Sequence, residues 1–316
     1  MNDRYLWDRS GPPDPEIDRL EKLLAPLAHR PPQARRPQPW RVLAAAAAVV
    51  LAAASLWRFE TAQGPVTGWQ VAHVDGAARV GNRDAQVDMQ LRTGQILRTG
   101  SDSTLLLHDD SLGRVDLGPD SEMRASEGRR LTLNRGRLHA FIWAPARQFV
   151  VDTPSARAVD LGCEYTIDVA PSGDGLLKVS LGWVAFQHDG HESFIPAGAQ
   201  CATRKRSGPG TPYYNDASPA LVQAVASFDH GDTAALDSLL AAARPRDALT
   251  LWHLLTRVRK EDRGQVFDRF AALVKLPPEI SRDRIINKDA AMIDLCWNAL
   301  DLQNTDWWRG WERNWK

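Results

Sequence analysis

Apolar and polar positions follow three different patterns along the 316 residues. Near the start, Ile17, Leu20 and Leu24 recur at three- and four-residue spacing with Leu27 just beyond, while Asp18, Arg19, Glu21 and Lys22 stay on the wet side. This spacing predicts a short amphipathic helix. Asp14-Pro15-Glu16 supplies an N-cap, a proline at the first helical position and an acid in the first turn, and Pro26 ends or kinks the helix near Ala25. About a dozen residues cannot bury such a stripe alone. The stripe therefore calls for a partner, either a groove on a cytosolic protein or a membrane surface. Leu6 and Trp7 form an aromatic-apolar knot with Tyr5 ahead of it, and the Pro-, Arg- and Gln-rich stretch 30–40 reads as a stiff linker.

The second pattern is VLAAAAAVVLAAASLW at 42–57, a run without a charge between Arg41 and Arg58. At ~1.5 Å per residue it covers about 24 Å, short of a ~30 Å hydrocarbon core, and Trp40 and Phe59 extend it at the interfaces. The run predicts one transmembrane helix over 42–59. Arg30, Arg35, Arg36 and Arg41 precede it without an acid, whereas one arginine faces Glu60 and Asp75 in 58–77. By the positive-inside rule the N-terminus is cytoplasmic and the C-terminus periplasmic, as in a single-pass inner-membrane protein. A cleaved signal peptide and a buried Ala-rich helix are the competing readings.

From 60 to 203 the period changes to two. Short alternating runs such as QILRT, TLLLH and Trp183 to His188 are separated by Gly, Asp, Ser and Pro, which predicts an all-β domain of two packed antiparallel sheets. Val74-Asp75-Gly76, Asp189-Gly190 and Ser172-Gly173-Asp174-Gly175 read as hairpin connections. A Pro/Gly-rich linker at 204–216 leads to helical spacing again over 217–316. Ser218-Pro219, Asp232-Thr233 and Pro245 open helices, a fourth covers 265–275, and Pro277-Pro278 precedes two more, which predicts a small α bundle. Trp308, Trp311 and Trp315 share a face of the last helix, either a contact surface or a cap on the bundle core.

Composition adds little: 39 basic and 39 acidic residues balance, so nothing points to a nucleic-acid surface. No phosphate-cradling glycine loop and no zinc-spaced cysteine pair is present. His188 and His191 flank a turn without a third ligand, and Ser101, Asp102, Ser103 and His108 lack a nucleophile elbow. Neither a cofactor nor catalysis is expected. Cys163 and Cys201 both fall at strand edges of one domain, placed by the expected orientation in an oxidising compartment, and a disulfide between them is expected.

Six stretches stand in order along the β region: LRTGQILRTG at 91–100, LLHDDS at 106–111, DTPSA at 152–156, LGCEY at 161–165, VSLGWV at 179–184, and PAG at 196–198. In this order, with 179–184 similar to a "V..G.V" hairpin, they resemble the FecR domain, the extracytoplasmic module of single-span anti-sigma regulators. The resemblance covers about 130 residues. Asp110 stands where the family usually has Gly, and Cys163 where it usually has Thr. A short segment before the apolar run and a helical tail replace the longer sigma-binding domain and the receptor-docking module of the iron-signalling members, so an iron-uptake role is not expected.

The expected architecture is therefore mainly β plus α: a short cytoplasmic helix, one transmembrane helix, an all-β two-sheet FecR-like domain and a C-terminal α-helical bundle. The resemblance implies a transmembrane signalling protein that sequesters a sigma factor and senses an extracytoplasmic signal. Its partner-binding residues would be Leu6, Trp7, Ile17, Leu20, Leu24 and Leu27, and a further extracytoplasmic partner stays unassigned. The alternative is a membrane-anchored periplasmic scaffold or ligand-binding protein with no sigma-factor role.

Overall fold

One strand, Arg130–Ile142, belongs to two sheets, and the computed structural model is arranged around it. The structure describes residues 14–27 and 65–302, which fall into two compact units, one within Met1–Glu60 and one within Thr61–Lys316. The first unit contributes helix α1, Pro15–Leu24, continued by a 3-10 turn at Ala25–Leu27.

In the second unit the early half of Arg130–Ile142 pairs with Glu122–Ala125 and, in parallel, with Val150–Asp152. Its later half pairs with Gly113–Leu117 and Glu164–Val169 in the other sheet. Leu131 and Leu133 are buried before the change, and Leu138, Ala140 and Ile142 after it. The inward-facing set has thus moved from odd to even positions. A one-residue slip turns every side chain of a strand over, and here it keeps the apolar side on the core while the backbone leaves one sheet for the other. Against Glu122–Ala125 the register shifts between Leu133 and Arg135, and Gly136, with φ 94° and no room for a Cβ beside Ser121 Oγ, follows directly. Ser121 Oγ accepts the Arg137 N–H at 3.0 Å at the same point.

The remaining strands build outward from this corner. In one sheet the order runs from Gln90–Arg92 through Val66–Asp75, Thr104–Asp109 and Gly113–Leu117 to the shared strand, then Glu164–Val169, Gly175–Leu181 and Ala199–Arg204. In the other, Ala78–Val80, Ile96–Thr99 and Glu122–Ala125 lead to it, and Val150–Asp152, Arg157–Asp160, Trp183–His188 and His191–Pro196 lead away. Strands with alternating buried positions, such as Glu164–Val169, enclose a core that includes Trp69, Leu107, Phe149, Tyr165 and Phe186.

The expected turns occur, but not all of them make hairpins. Asp189 and Gly190, at φ 45° and 80°, close a two-residue hairpin between strands that pair from Trp183–Pro196 to His188–His191. The turn at 172–175 likewise joins paired strands. Gly76 instead leads from a strand of one sheet to a strand of the other, which do not pair with each other. Gly182, expected within a hairpin, does the same between Gly175–Leu181 and Trp183–His188. Its φ is 69°, and a Cβ there would meet Gly162 O at 1.9 Å.

Residues 208–209 and 213–214, within the stretch expected as a linker, pair with Ala199–Arg204. Six helices follow: α2 (Pro219–Asp229), α3 (Ala235–Ala242), α4 (Ala248–Arg257), α5 (Lys260–Leu273), α6 (Arg282–Ile286) and α7 (Ala290–Asn298). Ser218 caps α2 by accepting the Leu221 N–H, and Asp289 caps α7 by accepting the Met292 N–H. The short α6 carries too few apolar positions to show a period in the sequence.

The helices close the outer edge of His191–Pro196. A strand edge exposes unpaired N–H groups, and here buried His253 of α4 accepts the Phe194 N–H on Nε2 at 3.0 Å while Nδ1 donates to Leu249 O at 2.9 Å. Trp297 lies 4.6 Å from Trp252, 5.5 Å from Phe194 and 5.6 Å from Trp183, ring centre to ring centre. Trp252 Nε1 donates to Ile293 O at 2.9 Å, so its one polar atom is satisfied inside the cluster. Buried Arg263 donates to Leu255 O at 2.7 Å, to Val258 O at 3.0 Å and to Ile286 O, tying the ends of α4 and α6 to α5.

The expected membrane helix and the single-pass inner-membrane location are corrected. Among the described residues no helix is long and apolar enough to cross a membrane. The longest, α5, has 14 residues and opens with Lys260, Glu261, Asp262 and Arg263; its length of about 21 Å falls short of a ~30 Å hydrocarbon core. The run 42–59 lies outside the described residues, as do Trp308, Trp311 and Trp315. The described residues form a mainly β fold with seven α-helices.

Gly136→Ala should lower unfolding free energy by about 3 kcal/mol, because the substitution strains a left-handed backbone and collides with Ser121. His253→Leu should cost about 2 kcal/mol by leaving the Phe194 N–H buried without an acceptor. Urea unfolding monitored by tryptophan fluorescence measures both.

Candidate functional site

Helix α1 carries the residues expected to bind a partner. Asp14 Oδ1 accepts the Glu16 N–H at 2.9 Å, Pro15 occupies the first helical position, and Glu16 and Asp18 sit at the positive end of the helix dipole with Lys22 at the other. No residue of the helix is buried. Leu20 is 57% exposed, Leu24 58% and Leu27 78%, and Leu23, at 66%, widens the stripe. Leu23 completes an i, i+3, i+4, i+7 set with the other three, a spacing visible in the sequence although Leu23 was not among the expected contacts. Ile17 is half-buried, and Leu6 and Trp7 lie outside the described residues.

The expected disulfide is absent: Cys163, Cys201 and Cys296 are free, buried thiols. Register explains the separation. Cys201 pairs with Leu177 and Leu177 with Ile167, so Cys201 lies two strands across and four residues along from Cys163. At ~4.8 Å per strand and ~3.4 Å per residue that is about 17 Å, far beyond the ~7 Å limit for bridging. The Cys201 thiol donates to Gly210 O at 3.2 Å, and burial pushes its pKa up to about 12. Cys296 is pushed up to about 12 by burial as well.

Cys163 has a different partner. Its thiol donates to Oδ1 of Asp160, whose Oδ2 accepts the Gly162 N–H at 2.9 Å. Asp160 is fully buried, and loss of solvent pushes its carboxyl up to about 6 against the lowering effect of these hydrogen bonds. Burial, and then the charge on Asp160, push the Cys163 thiol well above the ordinary range. A nucleophilic cysteine needs the opposite, an electropositive, partly open setting. The hydroxyl of Tyr165, buried close by, has no hydrogen-bond partner among the described residues.

A cavity of about 310 Å³ lies where the end of Ala199–Arg204 and its turn meet the ends of α2 and α4 and Lys288, just past α6. Arg204, Arg257, Lys288 and His191 line it, with Asp229 and Phe228. Arg257 Nη2 donates to Ser193 Oγ at 2.6 Å and Nη1 to Pro209 O at 3.2 Å. Arg204 donates to Asp229 O and to His230 Nδ1. The Asp229 carboxylate is taken up by Thr211, accepting its N–H at 2.7 Å and its hydroxyl at 2.8 Å. Burial, and then the charge on Arg263, hold Lys288 below the usual ammonium range. The contributing residues are up to 97 positions apart, so no local motif announces the cavity. Elsewhere, among the described residues, no group of three His, Cys, Asp or Glu side chains could hold a metal ion.

No protein-family model and no curated protein matches the chain. Among solved structures it is similar to two crystal structures, at 1.65 Å and 2.50 Å resolution, of a candidate anti-sigma factor from Parabacteroides distasonis ATCC 8503. Identity is 15% and the TM-score 0.34 for each, over 41% of this chain and 63% or 62% of theirs. The match thus spans less than two thirds of those chains, and a TM-score of 0.34 carries no argument about fold or function.

Asp160 gives stability a pH dependence of definite sign. Its carboxyl binds a proton more tightly folded, near 6, than at the ordinary value of 3.8. The contribution is therefore complete below about pH 4 and lost as pH rises through 6, by about 3 kcal/mol at ~1.4 kcal/mol per pH unit. Glu122, Asp268 and Asp289, held low first by hydrogen bonds from Arg98, Arg282 and Arg284, act with the opposite sign at lower pH. Asp160→Asn should remove the decline between pH 4 and 7 that wild type shows in urea unfolding at successive pH values.

Proposed function

We propose that this chain is a non-enzymatic regulator whose N-terminal helix α1 holds a sigma factor by presenting its leucine stripe to a groove, with the unit within Thr61–Lys316 responding to a signal. The observation that supports the reading is the helix itself. Ten residues with an Asp cap and a Pro start keep Leu20, Leu23, Leu24 and Leu27 exposed on a segment in which nothing is buried. An isolated helix of that length is marginal in water, and an apolar stripe that finds a groove stabilises both the helix and the complex. The resemblance of 91–198 to the FecR domain points the same way. Sequestration and release would then be the mechanism, with α1 as the bait and no chemical step.

The full chain should copurify with a sigma factor when the two are coexpressed. Leu20→Asp with Leu24→Asp should reduce retention at least about tenfold, because each places a charge in an apolar contact. Equal retention of wild type and the double variant would remove α1 from the interaction.

A further inference from the structure

The cavity beside α2 and α4 has more positive than negative charge around it. Arg204, Arg257 and Lys288 make no ion pair with a carboxylate among the described residues, and the Lys288 ammonium makes no hydrogen bond there either. Asp229, the one carboxylate on the wall among the described residues, already accepts two hydrogen bonds from Thr211. Arg257 uses two of its N–H groups on Pro209 O and Ser193 Oγ, which fixes the plane of the guanidinium and leaves donors over, since the group carries five. His191 adds a ring nitrogen at the rim, while Phe228 and Pro209 give one wall an apolar surface. Phosphoryl oxygens match this donor set: planar guanidinium forks bind them in pairs and a lysine binds as a point charge. A volume of about 310 Å³ is at the small end of ligand cavities.

We infer that this cavity binds a small phosphate monoester, its phosphoryl group between Arg204, Arg257 and Lys288 and its organic part against Phe228 and Pro209. The site joins the end of the β sheet to the ends of three helices, so occupancy would favour the docked arrangement of sheet and helices. It uses no residue of α1 and stands whether or not α1 holds a sigma factor.

The test is isothermal titration of the full chain with glycerol 3-phosphate, at ionic strength held constant with chloride. Lys288 sits at φ 58°, a conformation asparagine tolerates well, so Lys288→Asn removes the charge without straining the backbone. Saturable binding to wild type, about tenfold weaker in Lys288→Asn and restored in Lys288→Arg, is the expected result. Absence of saturation in wild type overturns the assignment, as does equal affinity of wild type and Lys288→Asn. Loss of sigma-factor copurification, by contrast, leaves these titrations unchanged.

Discussion

The structure depends on a strand that changes sheets. Arg130–Ile142 serves both because its register shifts between Leu133 and Arg135, moving the inward-facing set by one residue, and Gly136 then turns the backbone with a left-handed φ within contact distance of Ser121. Sheets that meet at a corner need such a bend or bulge. Without it, either Leu131 and Leu133 or Leu138 and Ala140 would face water. Gly76 and Gly182 place further corners in the same pair of sheets, and the close approach of Gly182 to Gly162 O shows how little room those corners leave.

The helices complete the β unit where the sheet would otherwise end open. His253 gives the Phe194 N–H its acceptor, and Trp252 and Trp297 cover the ring of Phe194. Sheet and helices consequently share one core within Thr61–Lys316. The same junction leaves the gap lined by Arg204, Arg257 and Lys288, where the ends of α2 and α4 meet the turn that follows Ala199–Arg204. Polar chemistry of this unit is split between that open, basic gap and the sealed Asp160–Cys163 pair, where burial keeps the thiol protonated.

Much of the local structure was legible in residue order. Asp14 and Ser218 cap helices as their side chains suggest, and Asp189-Gly190 makes the tight hairpin expected of it. The leucine stripe of α1 was legible as well, because a 3.6-residue period needs no tertiary partner to be seen. The two cysteines show the limit. Both were expected at strand edges, yet Cys163 stands just before Glu164–Val169 and Cys201 lies inside Ala199–Arg204, and the distance between them, about 17 Å, depends on which strand lies beside which. The basic cavity was illegible for the same reason, since Arg204, Arg257 and Lys288 come together only after the sheet and helices dock.

Sequence alone determined the periods, caps and turns: a short amphipathic helix, short alternating strands within 60–203, and helices opened by Ser218 and Pro245. These follow from side-chain preferences acting over a few residues. Tertiary structure decided what each turn connects, making Gly76 and Gly182 corners between sheets, and it left the cysteines apart and the three cations together. Those outcomes arise from pairings between residues tens of positions apart, where the energy of a local turn is nearly the same for a hairpin and a corner and only burial of the shared core distinguishes them.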